Sequence, residues 1–204
     1  MTDNIKTAVT LFIITLISGL VLGCVYGITK GPIEEANKAA TYAAYAELLP
    51  GASDYNDKPE VVEAANAGLA GKSYGNVTVD NVVEAVDGSG SAMGYVVTAT
   101  SNDGFGGAIQ LTVGYKDEGG ELKSTGISFL SIAETAGLGM NATIEGEGSF
   151  KSQFEGKSAV ELTLVKSGNA GDAEIDAMSG ASITSGAVTN AVNAANFAVA
   201  DCLG

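Results

Sequence analysis

The sequence predicts an α+β protein in which an N-terminal transmembrane helix precedes an antiparallel-sheet domain with flanking helices. Three observations carry this. Thr7 to Thr29 is a run without a charged side chain. Between residues 77 and 130, short runs rich in Val, Ile, Thr and Tyr alternate with Gly-containing turns, the pattern of a β-meander. Near the C-terminus, Val188, Val192, Ala195 and Val199 recur at helical spacing. A series of strands with helices gathered at its ends defines the α+β class.

The apolar run comes first. A helix of ~23 residues is roughly 34 Å long, enough to cross a hydrocarbon core of ~30 Å. Lys6 and Lys30 bracket it. It is long for the apolar part of a signal peptide, and no Ala-x-Ala site follows. Val21-Leu22-Gly23-Cys24 loosely resembles a lipoprotein cleavage box, with Leu22 a poor fit. Span length favours an uncleaved single-pass anchor over the two alternatives, a lipoprotein and a cleaved signal. One lysine on each side leaves orientation unassigned by charge. Lys30-Gly31-Pro32 predicts a short break, with Pro32 in the first turn of a new helix. That Ala-rich helix offers Ala40, Tyr42, Ala43, Tyr45 and Leu48 for one apolar face, and Pro50-Gly51 stops it. The division is therefore 1–30 tail and anchor, 31–50 linking helix, and 51–204 globular domain.

Residues 51–73 are mixed, with a short helix expected at Pro59–Ala67. Val77–Val79, Val82–Val86, Gly94–Thr100, Ala108–Tyr115 and Leu122–Leu130 read as strands. Asp87–Gly90, Asp103–Gly107 and Lys116–Gly120 supply the turns between them. A short helix is expected near Ile144–Phe150 and a strand at Leu162–Val165. A loop follows at Gly168–Gly171, and the closing helix spans Thr184 to Leu203. No fixed-period repeat is present. The 28 glycines are scattered through turns, so they mark no low-complexity segment.

Composition excludes several classes. The 24 acidic and 10 basic residues give a net charge of −14. All but Asp3, Lys6 and Lys30 lie beyond the span, so the body repels phosphate backbones and nucleic acid is not a partner. The absence of His removes His-based triads and His-ligated metals. Two cysteines, Cys24 in the span and Cys202 near the C-terminus, cannot build an iron–sulfur site alone. The carboxylates show no pair spaced for acid–base work. The two Asn-x-Thr triplets are left to chance.

Two segments stand out. Asp176-Ala177-Met178-Ser179-Gly180-Ala181-Ser182-Ile183-Thr184-Ser185 gathers hydroxyls and a glycine where a helix begins. One reading is a helix N-cap, with Ser or Thr oxygens satisfying free N–H groups. The other is a phosphate site, since the same N–H groups and the helix dipole favour an anion and small residues admit it closely. Glu134-Thr135-Ala136-Gly137-Leu138-Gly139 is the second segment. By itself it is a glycine-rich loop leading into a helix. Gly94-Tyr95 with Gly104-Phe105-Gly106-Gly107 reads as a hairpin with core aromatics.

Residues 176–182 match the pattern Asp-x-x-Ser/Thr-Gly-Ala-Thr/Ser of the FMN-binding domain family, which this chain therefore resembles. The resemblance implies a covalent FMN, joined as a phosphoester to Ser182 by a separate flavin transferase. Serine replaces the more usual threonine there, and Thr184 is the fallback acceptor. Asp176 would help the transferase recognise the segment, and Ser179, Gly180 and Ala181 would surround the phosphate. Residues 134–139 are similar to the family's Glu-Thr-Pro-Gly-Leu-Gly segment, which lies against the flavin, with Ala136 in place of proline. By the same resemblance Glu134 and Thr135 are polar contacts, Gly137 and Gly139 supply the turn, and Leu138 covers the ring. Gly94, Tyr95 and the residue 104–107 hairpin also resemble the family's central strand pair, with no flavin role carried over.

The order of span, membrane exit Tyr26–Ile33, residue 134–139 loop and Ser182 motif resembles the G subunits of Rnf ion-translocating electron transport complexes. What that implies is a membrane-anchored flavoprotein that carries electrons during ferredoxin:NAD electron transfer coupled to ion transport. Its FMN domain would lie on the extracytoplasmic side of the cell membrane. Its partners would be the other Rnf subunits (A, B, C, D and E), the flavin transferase and membrane lipid. The alternative is a non-redox anchored or lipidated surface-binding domain, with Ser182 only a cap and Cys24 a lipid site. A pilin-like protein is disfavoured, because the apolar segment lacks an internal glutamate.

Overall fold

The computed structural model describes residues 2–166 and 168–203, with side chains from residue 4 onward. Two compact units are present, residues 1–42 and 43–204. Helix α1, Thr2–Leu48, makes up the first unit and continues into the second. Within residues 4–48 it contains a stretch long and apolar enough to cross a membrane. Its Ile, Leu, Val and Phe side chains up to Ile33 stand exposed, as a lipid-facing helix requires. Thr10, Thr15 and Thr29 donate their hydroxyls to the carbonyls of Lys6, Leu11 and Val25, so no polar group in the span is left bare by them.

The expected break at Lys30-Gly31-Pro32 is absent, and α1 runs through Pro32. Proline costs one backbone hydrogen bond but does not forbid a helix whose flanks on both sides favour it. The helix ends as expected before Pro50-Gly51, with Leu49 N donating to Tyr45 O.

The second unit is a five-stranded antiparallel sheet in the order β1 (Asp54–Asp57), β2 (Val77–Val86), β3 (Ala92–Ser101), β4 (Ile109–Asp117), β5 (Leu122–Ser131). Strand alternation sorts its two faces. Val82, Val97, Val113 and Ile127 stand in register across β2 to β5 and join the main core beneath the C-terminal helix α3 (Ser182–Asp201). Their neighbours Val83 and Val96 face the other way and pack with Tyr45, Leu48 and Leu49 from the end of α1. There Gly114 pairs with Gly126, and a Cβ on Gly114 would sit 2.7 Å from the Leu48 Cβ. That close approach needs glycine. Both faces are covered, which is why β4 reads as a nearly continuous buried run rather than a strict alternation.

Helix α2 (Pro59–Leu69) lies where the sequence places it and ties to the sheet through Asn66. The Asn66 side chain accepts Val79 N at 3.0 Å and donates to Val79 O at 2.8 Å, beside the bulge that joins two expected strands into one β2. Helix α3 buries a face of Ala and Val and uses two asparagines as peptide mimics. Asn193 pairs with both backbone groups of Leu162, and Asn196 donates to Val160 O while accepting the buried Tyr115 hydroxyl at 2.6 Å. These bonds fix the segment entering β6 (Thr163–Val165).

Four local expectations change. β1 is an edge strand of Asp, Tyr and Asn, chosen by pairing with β2 against its own poor strand propensity. β7 (Glu174–Asp176) pairs in parallel with β6, a three-residue element too short to show a period. The helix expected at Ile144–Phe150 is absent. Gly146 and Gly148 take positive φ there, and short 3-10 turns flank the gap at Gly139–Thr143 and Lys151–Phe154. The closing helix starts at Ser182, two residues before Thr184.

Candidate functional site

The Asp176–Ser182 segment leaves β7 and enters α3, and three side chains hold it. Gln153 accepts Asp176 N at 2.7 Å and donates to Asp176 O at 3.1 Å, extending the β6–β7 pair by a side chain. The Asp176 carboxylate accepts Gly168 N and Ala170 N at 2.7 and 2.8 Å. The Ser185 hydroxyl accepts Met178 N at 3.0 Å and donates to Ala181 O at 2.9 Å. Gly180 takes φ +77°, and a Cβ there would approach Leu138 Cδ2 at 3.2 Å.

The N-cap of α3 is Ala181, which has no side-chain oxygen, and no side chain caps this end. The first internal bond is Ser185 N to Ala181 O. The N–H groups of Ser182, Ile183 and Thr184 therefore have no acceptor among the described residues, the condition for an anion seat. Ser182 is half-buried and its hydroxyl has no partner among the described residues, whereas Thr184 is only 2% exposed.

The second loop meets the first across a cleft of about 330 Å³, within the ~300–1,000 Å³ usual for small-molecule sites. The cleft brings together Glu134, Thr135, Leu138, Gly139, Gly180, Ala181, Ser182 and Thr184. Gly137, at φ +75°, shapes the turn behind it and is not part of the lining. Ser179 lines a second concavity that also reaches Gly180 and Ser182. Glu134 Oε1 accepts Gly106 N at 3.1 Å, tying the β3–β4 hairpin to this loop. A Cβ on Gly139 would lie 2.7 Å from both Glu134 Oε2 and Thr184 Oγ1, so carboxylate and hydroxyl converge there.

The sequence reading missed Phe105 and Ile183, which complete the lining. Phe105, Ile183 and Leu138 are 69%, 57% and 44% exposed, an apolar rim on an acidic body. The available signal was a large apolar residue inside a glycine hairpin and another between two hydroxyl residues. Apolar walls, free helix N–H groups and small residues beside Ser182 suit a planar ring system carrying a phosphate, so the residues present fit a flavin nucleotide. No cluster of carboxylates or thiols suited to a metal occurs among the described residues.

Residues 104–196 match the model of the FMN-binding domain family. The class is thus an FMN-binding domain behind one N-terminal helix long and apolar enough to span a membrane. The chain is 33% identical over 192 residues to the G subunit of the Na(+)-translocating ferredoxin:NAD(+) oxidoreductase complex of Acetobacterium woodii, covering 92% of this chain and 87% of that one. It is 30% identical to the G subunit of the ion-translocating oxidoreductase complex of Methanosarcina acetivorans, covering 93% and 91%. A crystal structure of Shewanella oneidensis NqrC aligns at 25% identity with a TM-score of 0.42, covering 55% of this chain and 53% of that one. The chain belongs to the family of G subunits of the ion-translocating oxidoreductase (Rnf) complexes.

Proposed function

We propose that this protein carries electrons through one FMN bonded by its phosphate to Ser182, during ferredoxin:NAD electron transfer coupled to ion transport. The observation that carries the reading is the mouth of α3. Three N–H groups without acceptors surround a half-buried hydroxyl that also has none among the described residues. The flavin, when bound, supplies the redox chemistry.

This chain's residues bind and orient it. The amides of Ser182, Ile183 and Thr184 offset part of the phosphate charge. Leu138, Phe105 and Ile183 shield the ring from water, while Glu134 holds the hairpin that carries Phe105. Attachment at Ser182 rather than Thr184 follows from access, because a transferase must reach the oxygen and Thr184 is almost fully buried. Asp176 spends its carboxylate on the amides of Gly168 and Ala170, so its part in modification is to shape the segment a flavin transferase reads. The N-terminal helix is a single-pass anchor, with the FMN domain on the extracytoplasmic side. Its other partners are the remaining Rnf subunits and membrane lipid. A covalent bond prevents cofactor loss from a domain open to bulk water, and the tether concentrates it near membrane partners.

Co-expression with a flavin transferase, denaturation and in-gel flavin fluorescence test the reading. A fluorescent band is expected for the unmodified chain and for Thr184→Ala, and none for Ser182→Ala. No band in the unmodified chain would favour the non-redox alternative. A band that survives Ser182→Ala moves the attachment site.

A further inference from the structure

The structure adds a cation to this site that no motif contains, and its role rests on the reading of Ser182 as the flavin-bearing residue. A phosphodiester on Ser182 keeps a negative charge, and the chain around it has a net charge of −14. Helix amides offset that charge only in part. Ser182 also lines a second concavity, of about 320 Å³, whose wall includes Lys166, Asp176 and Ser179. Lys166 is the one cation lining either concavity among the described residues.

Most lysines of the body are occupied. Lys58, Lys123 and Lys151 form ion pairs, Lys157 donates to Gly171 O, and Lys72 lies over the Phe197 ring. Lys166 has no ion pair or hydrogen bond among the described residues. The neighbouring carboxylate does not claim it, since Asp176 is turned to the amides of Gly168 and Ala170. The backbone under Lys166 is fixed to the flavin segment. Val165 pairs with Asp176 across β6 and β7, and Ala177 N donates to Val165 O at 2.8 Å. A long cationic side chain is thus rooted one residue from a strand pair that leads to Ser182, and it is free to meet an anion there.

We propose that Lys166 is the side-chain cation that binds the phosphate of FMN at Ser182. It acts on the phosphate end of the ligand and not on the ring. The test uses the unloaded full-length chain in detergent, made without a flavin transferase, and reads quenching of flavin fluorescence by FMN and by riboflavin, which lacks the phosphate.

The unmodified chain should bind FMN more tightly than riboflavin at low salt. Lys166→Gln should weaken FMN about fivefold, the size expected of one exposed charge contact, and leave riboflavin unchanged. Lys166→Arg should keep the FMN preference. Lys116→Gln, which removes an exposed β4 lysine that has no ion pair among the described residues, should change neither ligand. Unaltered FMN binding in Lys166→Gln overturns the proposal, as does an equal loss for both ligands or no FMN preference in the unmodified chain. Gel fluorescence after co-expression with the transferase is read separately. Loading at Ser182 with any of those results sinks the Lys166 assignment alone, and loss of loading sinks the reading beneath it.

Discussion

Two loops frame the cleft, and they are built on different terms. The segment from Asp176 to Ser182 is latched along its length, by Gln153 at its first residue, Ser185 at its third and the helix it enters at its last. The segment from Glu134 to Gly139 is mostly exposed. It is held by its own turn, in which Leu138 N and Met140 N both donate to Thr135 O, and by one carboxylate contact to the hairpin. Under the proposed attachment of FMN at Ser182, the difference matches two tasks. A hydroxyl that must be modified at one position, and must then hold a phosphate against helix amides, gains from a fixed backbone. A loop that lies over a ring gains from room to adjust after the ring arrives.

Three substitutions would sharpen or break this contrast, in falling order of effect. Ser185→Ala removes a buried hydroxyl and leaves Met178 N without its acceptor. It should cost about 1–3 kcal/mol and lower both the melting temperature and the flavinylation yield. If stability and loading stay at wild-type values, the latched loop is not latched by this residue. Glu134→Ala removes a partly exposed contact and should cost about 0.5–1.5 kcal/mol, while loading at Ser182 persists. Hydrogen exchange at Gly106 N should quicken in that variant, and loss of loading would show the two loops to be one unit. Ala136→Pro restores the residue that the family pattern carries and should raise stability by about 0.4–1 kcal/mol, by restricting the unfolded chain. A lowered melting temperature would mean that the looser turn has moved away from the proline-compatible backbone.

Much of the body was legible because its signals are local. Val-rich runs divided by Asp-Gly and Gly-Gly turns give the meander, and Val188, Val192, Ala195 and Val199 give α3. What stayed hidden depends on partners far along the chain. β1 is a strand only because β2 offers an edge, and β7 only because β6 lies beside it. The latch of Gln153 on Asp176 spans 23 positions, and nothing in either residue alone announces it. Local rules also failed by being too strict, as with Pro32 inside a helix that continues around it. At the site, the motif pointed to Ser182 and the glycine loop, which the fold brings to one cleft, while the burial of Thr184, the fallback acceptor, is not written in the pattern. Phe105 became a wall of the cleft only once the hairpin was folded against Glu134.

The most direct measurement is mass spectrometry of the protein purified from its native host. No Lys or Arg lies between residues 167 and 204, so after trypsin these residues stay in one peptide that carries every candidate hydroxyl of the motif. A flavin carried on Ser182 makes this peptide heavier by one FMN less one water, with fragment ions placing the addition on that residue. An unmodified peptide, or an addition on Thr184 with Ser182 free, would contradict it.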